Sequence, residues 1–144
     1  ALRKGDPPAD LLNEVAWYHA LRGTDLKEAL GLSEEAVRIA RAASGGLWQW
    51  LPRGRKVQIE LGMFLNTRGW IRLQLGDSEG AIEDLKEAAE VLPVAANFLY
   101  LAIAEERMGD LRAAREAARE AQRAGELTPY EKRLFDELKV RLKR

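Results

Sequence analysis

His19 is the only histidine in the chain and there is no cysteine. The side chains that most often serve as proton shuttle, nucleophile or metal ligand at neutral pH are therefore nearly absent. A histidine-ligated metal cluster, a thiolate zinc site or a histidine-assisted nucleophile would each lack parts. A lone histidine at a helix-packing position has a structural role as its default. The carboxylate pairs Glu34-Glu35 and Glu105-Glu106 are sequence neighbours, and adjacent residues on a helix diverge rather than share a site. No P-loop or Gly-x-Gly-x-x-Gly run occurs, and Gly45-Gly46 with Gly54 lacks both that spacing and a preceding strand. No catalytic residue, metal site or cofactor is expected, and the chain reads as a non-enzyme.

The chemistry that remains is that of binding. Asn13-x-x-Ala16-Trp17 recurs as Asn66-x-x-Gly69-Trp70, an amide, a small residue and an indole at the same spacing. Amides can fix the orientation of a peptide backbone, and a Trp can anchor an apolar contact. The same Trp residues could instead pack between helices, since burying one removes roughly 150 to 250 Å² from water. Left open to solvent, they call for cover from a partner or from Trp48 and Trp50 in cis. Arg112, Arg115, Arg119 and Arg123 form one stripe; interleaved with Glu116 and Glu120 it reads as a solvated face. Arg53, Arg55 and Lys56 read as a wet loop and helix start.

Positioning such residues falls to helices. Ala, Leu, Glu and Arg dominate 144 residues, enough for one domain with its own core. The 23 basic and 23 acidic side chains cancel, so no overall field favours nucleic acid or anionic lipid, and neither is an expected partner. No apolar run approaches the ~20 residues of a membrane span, and residues 1–10 lack the core of a signal peptide. A soluble chain is expected, the cytoplasm its default place, although missing cysteines leave the redox compartment open. The chain begins at Ala rather than Met, which suggests a processed protein or a piece of a longer one.

Apolar periodicity and stop residues predict seven helices. Asp6-Pro7-Pro8 starts the first, which Gly23 ends, and Leu26 to Ala40 forms the second. After the irregular stretch around Trp48 and Trp50, Arg55 to Leu75 forms a long third helix that Gly76-Asp77 stops. Ser78 to Leu92, Ala95 to Met108 and Leu111 to Ala124 follow. Thr128-Pro129-Tyr130-Glu131 opens the last with a capping box.

Small residues recur within this pattern. Gly69 and Ala81 stand twelve apart, as do Ala102 and Ala114; Ala88 and Ala121 each follow seven later, and Gly69 to Ala102 spans 33 residues. A period near ~34 with paired helices marks a stack of units that bury their apolar faces against one another. Small side chains let paired helices cross closely, and a larger one would overpack the contact.

The chain here resembles the tetratricopeptide repeat family. The middle unit carries Leu65, Gly69, Gly76, Ala81, Leu85, Ala88 and Pro93. The last carries Phe98, Leu101, Ala102, Gly109, Ala114, Ala118 and Ala121, with Glu126 where Pro would stand. The first carries Leu12, Val15, Ala16, Gly23, Ala29, Ser33 and Ala36, with one extra residue around Gly23-Thr24. The resemblance implies an all-α, right-handed solenoid: units at 7–41, 55–93 and 95–125, an insertion at 42–54 that lengthens the middle unit's first helix or fills a groove, and a capping helix at 129–143.

It also implies that the first helix of each pair lines a concave surface where a partner is read. By that register the partner-binding residues are Asn13, Trp17, Asn66, Trp70, Leu73, Leu99, Ile103 and Arg107, with Leu21, Met63 and Glu106 beside them. The family's carboxylate clamp for chaperone tails is not expected. The Asn residues fall one position early, and Leu99 and Ile103 stand where polar groups would help. The implied function is a protein-interaction module binding a peptide or helix. The alternatives are a spacer or oligomerisation domain, its groove covered in cis or by a second copy, and a regulatory domain of a larger parent chain.

Overall fold

Three turns of the same construction organise the chain. Gly23, Gly76 and Gly109 all take positive φ, 66°, 89° and 85°, a conformation that side chains other than glycine adopt at a cost. In each, the glycine N–H donates to the carbonyl three residues back and the next N–H reaches further, as in Gly76 N to Leu73 O and Asp77 N to Arg72 O. This double bond satisfies carbonyls that a helix end leaves orphaned. The aspartate that follows then caps the next helix: the Asp77 carboxylate accepts from Gly80 N and that of Asp110 from Ala113 N. The first turn carries the extra residue Thr24. Its aspartate, Asp25, is displaced into a left-handed conformation at φ 48° and makes no side-chain cap.

The computed structural model describes residue 5 and residues 7–45 and 52–143. Among these the only regular structure is helical: α1 (Ala9–Arg22), α2 (Leu26–Ser44), α3 (Pro52–Gln74), α4 (Ser78–Val91), α5 (Ala95–Arg107), α6 (Leu111–Arg123) and α7 (Pro129–Leu142). The fold is all-α. Boundaries follow the expected stop residues, with two differences. Helix α1 starts after Pro8, which occupies the N-cap without a side-chain bond, while Asp6 lies outside the described residues. The stretch read as an insertion is largely helical at its ends, since α2 runs on to Ser44 and α3 begins at Pro52. Trp48 and Trp50 lie outside the described residues.

The turns fold α1 on α2, α3 on α4 and α5 on α6, and each hairpin packs on the next through α2 against α3 and α4 against α5. The odd-numbered helices touch in order, α1 to α3 to α5 to α7, and so share one face. The hairpins approach closely because the contacts are small. Ala81 and Ala114, each twelve residues after a small residue, are fully buried, as are Ala29, Ala16 and Ala102. At Gly69 a Cβ would lie 2.7 Å from Leu85 Cγ, and at Gly62 one would lie 2.5 Å from Leu92 Cβ. These glycines sit mid-helix at a propensity cost of about 1 kcal/mol each because α4 occupies the space a side chain would need.

Ion pairs add a clamp between α3 and α4. Asp84, 3% exposed, receives both the Nε and Nη2 of Arg68, at 2.9 and 2.7 Å, and Nη1 of Arg72 at 3.0 Å. A buried carboxylate is tolerable when paired and hydrogen-bonded this fully. No helix of the described residues is long and apolar enough to cross a membrane.

Gly62→Ala tests the close approach. Alanine gains helix propensity, yet overpacking against a Cβ rather than a flexible side-chain end costs about 1 to 3 kcal/mol. The expected outcome is a net loss of stability, read as a lower urea midpoint. An unchanged or raised midpoint would show that α3 and α4 have room to separate.

Candidate functional site

The shared face of the odd-numbered helices contains a cleft of about 260 Å³. Helix α1 contributes Asn13 and Trp17, and α3 contributes Met63, Asn66 and Thr67. The α4–α5 connection and the start of α5 add Leu92, Val94, Ala96 and Asn97, and Glu131 closes it from the first turn of α7. The spacing of three to four residues between Asn13 and Trp17, and between Met63, Asn66 and Thr67, puts these side chains on one side of their helices.

Asn97 organises the polar part. Its Nδ2 donates to the Ala88 and Leu92 carbonyls, at 3.2 and 2.7 Å, and so closes the end of α4, which Pro93 prevents from continuing. Its Oδ1 accepts from Asn66 Nδ2 at 2.7 Å. Asn13 has no such partner. Phe64, thirty-three residues before Asn97 in the sequence, is apolar and fully buried. Asn13 is 8% exposed, and its Oδ1 makes no hydrogen bond.

An aromatic cluster lies behind the cleft. Trp17 meets Tyr100 edge-on at 6.1 Å between centroids, and Trp70 packs against the same ring at 4.8 Å. Such contacts add roughly 0.5 to 1.5 kcal/mol beyond the area buried. The Tyr100 hydroxyl and Trp70 Nε1 are buried without a hydrogen bond of good geometry. Burial, then the charge of Glu131, then Tyr130 holds the Tyr100 phenol far above its ordinary pKa, so it stays a neutral O–H. Tyr130 is also raised, by burial, while the neighbouring Trp70 indole works in the opposite direction. Glu131 closes the capping box of α7: its Oε2 accepts from Thr128 N at 2.8 Å, and its own N–H donates to Thr128 Oγ1.

The eight expected partner-binding residues divide. Asn13, Trp17 and Asn66 line the cleft. Trp70, Leu73, Leu99 and Ile103 lie in the central core, because adjacent odd-numbered helices approach closely enough to bury what a single helix would leave facing out. Arg107 is exposed and donates Nη1 to the Leu73 carbonyl at 3.2 Å, as Gln74 Nε2 donates to the Ala20 carbonyl at 3.0 Å. Each ties its helix end to that of the previous odd-numbered helix.

Other candidates have structural partners. His19 sits at the end of α1 with Nδ1 3.5 Å from Thr24 Oγ1 and 3.6 Å from Asp25. Glu105 faces Lys86 and Glu106 pairs with Arg141, so the adjacent carboxylates do diverge. In the arginine stripe, Arg115 donates to the Leu142 carbonyl and Arg123 pairs with Glu120. Sequence reasoning did not single out Asn97 or the cleft role of Glu131. For Asn97 the available sign was an amide four residues beyond a helix-ending proline, within reach of the carbonyls left behind. No family model matches this chain, and no curated protein is measurably similar to it.

Two substitutions separate the cleft from the core beneath it. Asn13→Leu removes a buried acceptor whose unmet desolvation costs about 1 to 3 kcal/mol, and is expected to raise stability. Trp70→Ala opens the core and is expected to lose about 3 to 5 kcal/mol. Denaturation of both variants checks this; a destabilised Asn13→Leu would show that the amide carbonyl is answered by ordered water.

Proposed function

We propose that the chain is a tetratricopeptide-like helical-repeat module that binds an extended peptide or a helix of a partner protein in the cleft between α1, α3 and α5. The observation that carries this reading is the unsatisfied Asn13 carbonyl in a mixed polar and apolar cleft. A closed core would gain by replacing that asparagine with an apolar residue, whereas a ligand that reaches the cleft answers it. Met63, half exposed, with Val94 and Trp17 supplies an adaptable apolar wall. Three matched turns, buried small residues at matched offsets and contacts running from hairpin to hairpin support the solenoid reading.

A second reading, assembly through self-association, is favoured by one feature. Leu11, Val15 and Tyr18 are exposed on α1 at the spacing of a single helical stripe, with Arg22 over the Tyr18 ring at 5.3 Å. The opposite end of the stack is covered by α7, where Val140 is exposed among Lys132, Asp136, Glu137 and Lys139. The α1 stripe is apolar surface of the kind that marks an interface.

Two measurements follow. Peptides selected from a displayed random library on the intact chain are expected to lose binding to Met63→Glu, whose helical circular dichroism stays unchanged; selection of none, or binding indifferent to Met63→Glu, removes the cleft as the recognition surface. Light scattering over a concentration series is expected to show a monomer if α1 serves no assembly. A dimer that Tyr18→Glu dissociates would establish the second reading instead.

A further inference from the structure

We infer that the cleft selects a positively charged anchor on its ligand, a primary alkylammonium such as the end of a lysine side chain. The inference rests on the proposed peptide-binding role and specifies its chemistry. The buried polar atom left without a partner in the cleft is an acceptor. Asn13 Oδ1 has no hydrogen-bond partner although the side chain is more than nine-tenths buried. Asn66 Nδ2 gives one of its two N–H groups to Asn97 Oδ1, and its carbonyl oxygen accepts no hydrogen bond among the described residues. Glu131 uses one carboxylate oxygen on Thr128 N and keeps the other. Thr67 gives its hydroxyl proton to the Met63 carbonyl at 3.2 Å.

Charge and shape agree with this donor requirement. Glu131 is the one charged side chain among the described residues lining the cleft, and no Lys or Arg lines it. A carboxylate beside two amide carbonyls favours an ammonium, which brings three donors and no acceptor. The walls suit the stem behind such a charge: Trp17 offers a ring face or edge, and Met63 and Val94 offer aliphatic surface. About 260 Å³ is small for a drug-sized ligand and is on the scale of one long side chain. An anionic anchor would meet Glu131 with no compensating cation. A purely apolar anchor would leave the Asn13 carbonyl desolvated and unanswered.

The test uses the intact chain and n-butylammonium as probe, with n-pentanol as its uncharged counterpart and acetate as the anion. Signals of the Trp17 indole and the Asn13 and Asn66 side-chain amides are followed by NMR. The expected result is a saturable shift with butylammonium that pentanol and acetate do not produce, weakened at least about tenfold by Glu131→Gln or Asn13→Leu, as loss of a charge-assisted hydrogen bond implies. Gln retains the capping box, so the thermal midpoint of Glu131→Gln is a direct check that the loss is not unfolding. Equal shifts with pentanol, a preference for acetate, or indifference to Glu131→Gln would overturn the inference.

Library-selected peptides form the second arm. Enrichment of lysine in peptides that compete with butylammonium supports the inference, and N-terminal acetylation distinguishes a lysine side chain from a chain terminus as the source. Peptides that bind the cleft without any basic residue overturn it while leaving the peptide-binding role in place. Saturable butylammonium binding with no peptide selected leaves the cation site standing and removes the peptide-binding role.

Discussion

The structure depends on how closely α3 and α4 approach. At Gly69 the backbone of α3 meets Leu85 where any Cβ would collide, and at Gly62 it meets Leu92. That approach sets the depth at which Arg68 and Arg72 reach Asp84, and it draws the end of α4 inward to where Asn97 can take its last carbonyls. A larger residue at either glycine would push the helices apart and strain both polar clamps, because packed interiors transmit volume changes rather than absorb them. The matched turns fix the other degree of freedom, the angle at which each hairpin folds back.

What the sequence made legible follows from this. The turns are local chemistry: a glycine able to take positive φ, an aspartate two or fewer residues on and a helix-forming run beyond can be read without knowing the fold. The capping box at Thr128 and Glu131 is of the same kind. Small residues at fixed offsets were visible as a pattern, and those at 69, 81, 102 and 114 lie buried where helices pack. The first turn shows the limit of that regularity, since the single extra residue at Thr24 moved Asp25 off its capping role.

The face shared by the odd-numbered helices was less legible because it is made between hairpins. Whether Leu99 or Ile103 faces a ligand depends on how near α3 and α7 stand to α5, a distance no single helix encodes; both are buried. Trp17 and Trp70 share the same local sequence spacing yet differ in exposure, because among the described residues α1 meets one odd-numbered helix, α3, whereas α3, which carries Trp70, meets both α1 and α5. Asn13 and Asn66 are also equivalent in sequence. Asn66 donates to Asn97, and the Asn13 carbonyl oxygen has no hydrogen-bond partner. Repetition in the sequence therefore predicts the elements well and the chemistry of their shared face poorly, since each position's partner lies in a neighbouring unit of different composition.

That difference has a physical meaning. Elsewhere the buried polar groups are matched: Ser33 donates to the Leu30 carbonyl, Thr67 to that of Met63, and Asp84 accepts from two arginines. The buried side-chain atoms without a hydrogen bond of good geometry among the described residues, Asn13 Oδ1, Trp70 Nε1 and the Tyr100 hydroxyl, belong to the odd-numbered helices that share one face. Two of them are in the cluster whose rings hold one another in place, so these groups do not relax toward partners by rotating away. Each carries a desolvation cost in the free chain, and of the three residues only Asn13 lines the cleft. On the proposed binding role, the stability given up at Asn13 is what an incoming donor would restore, as expected of a preorganised recognition surface.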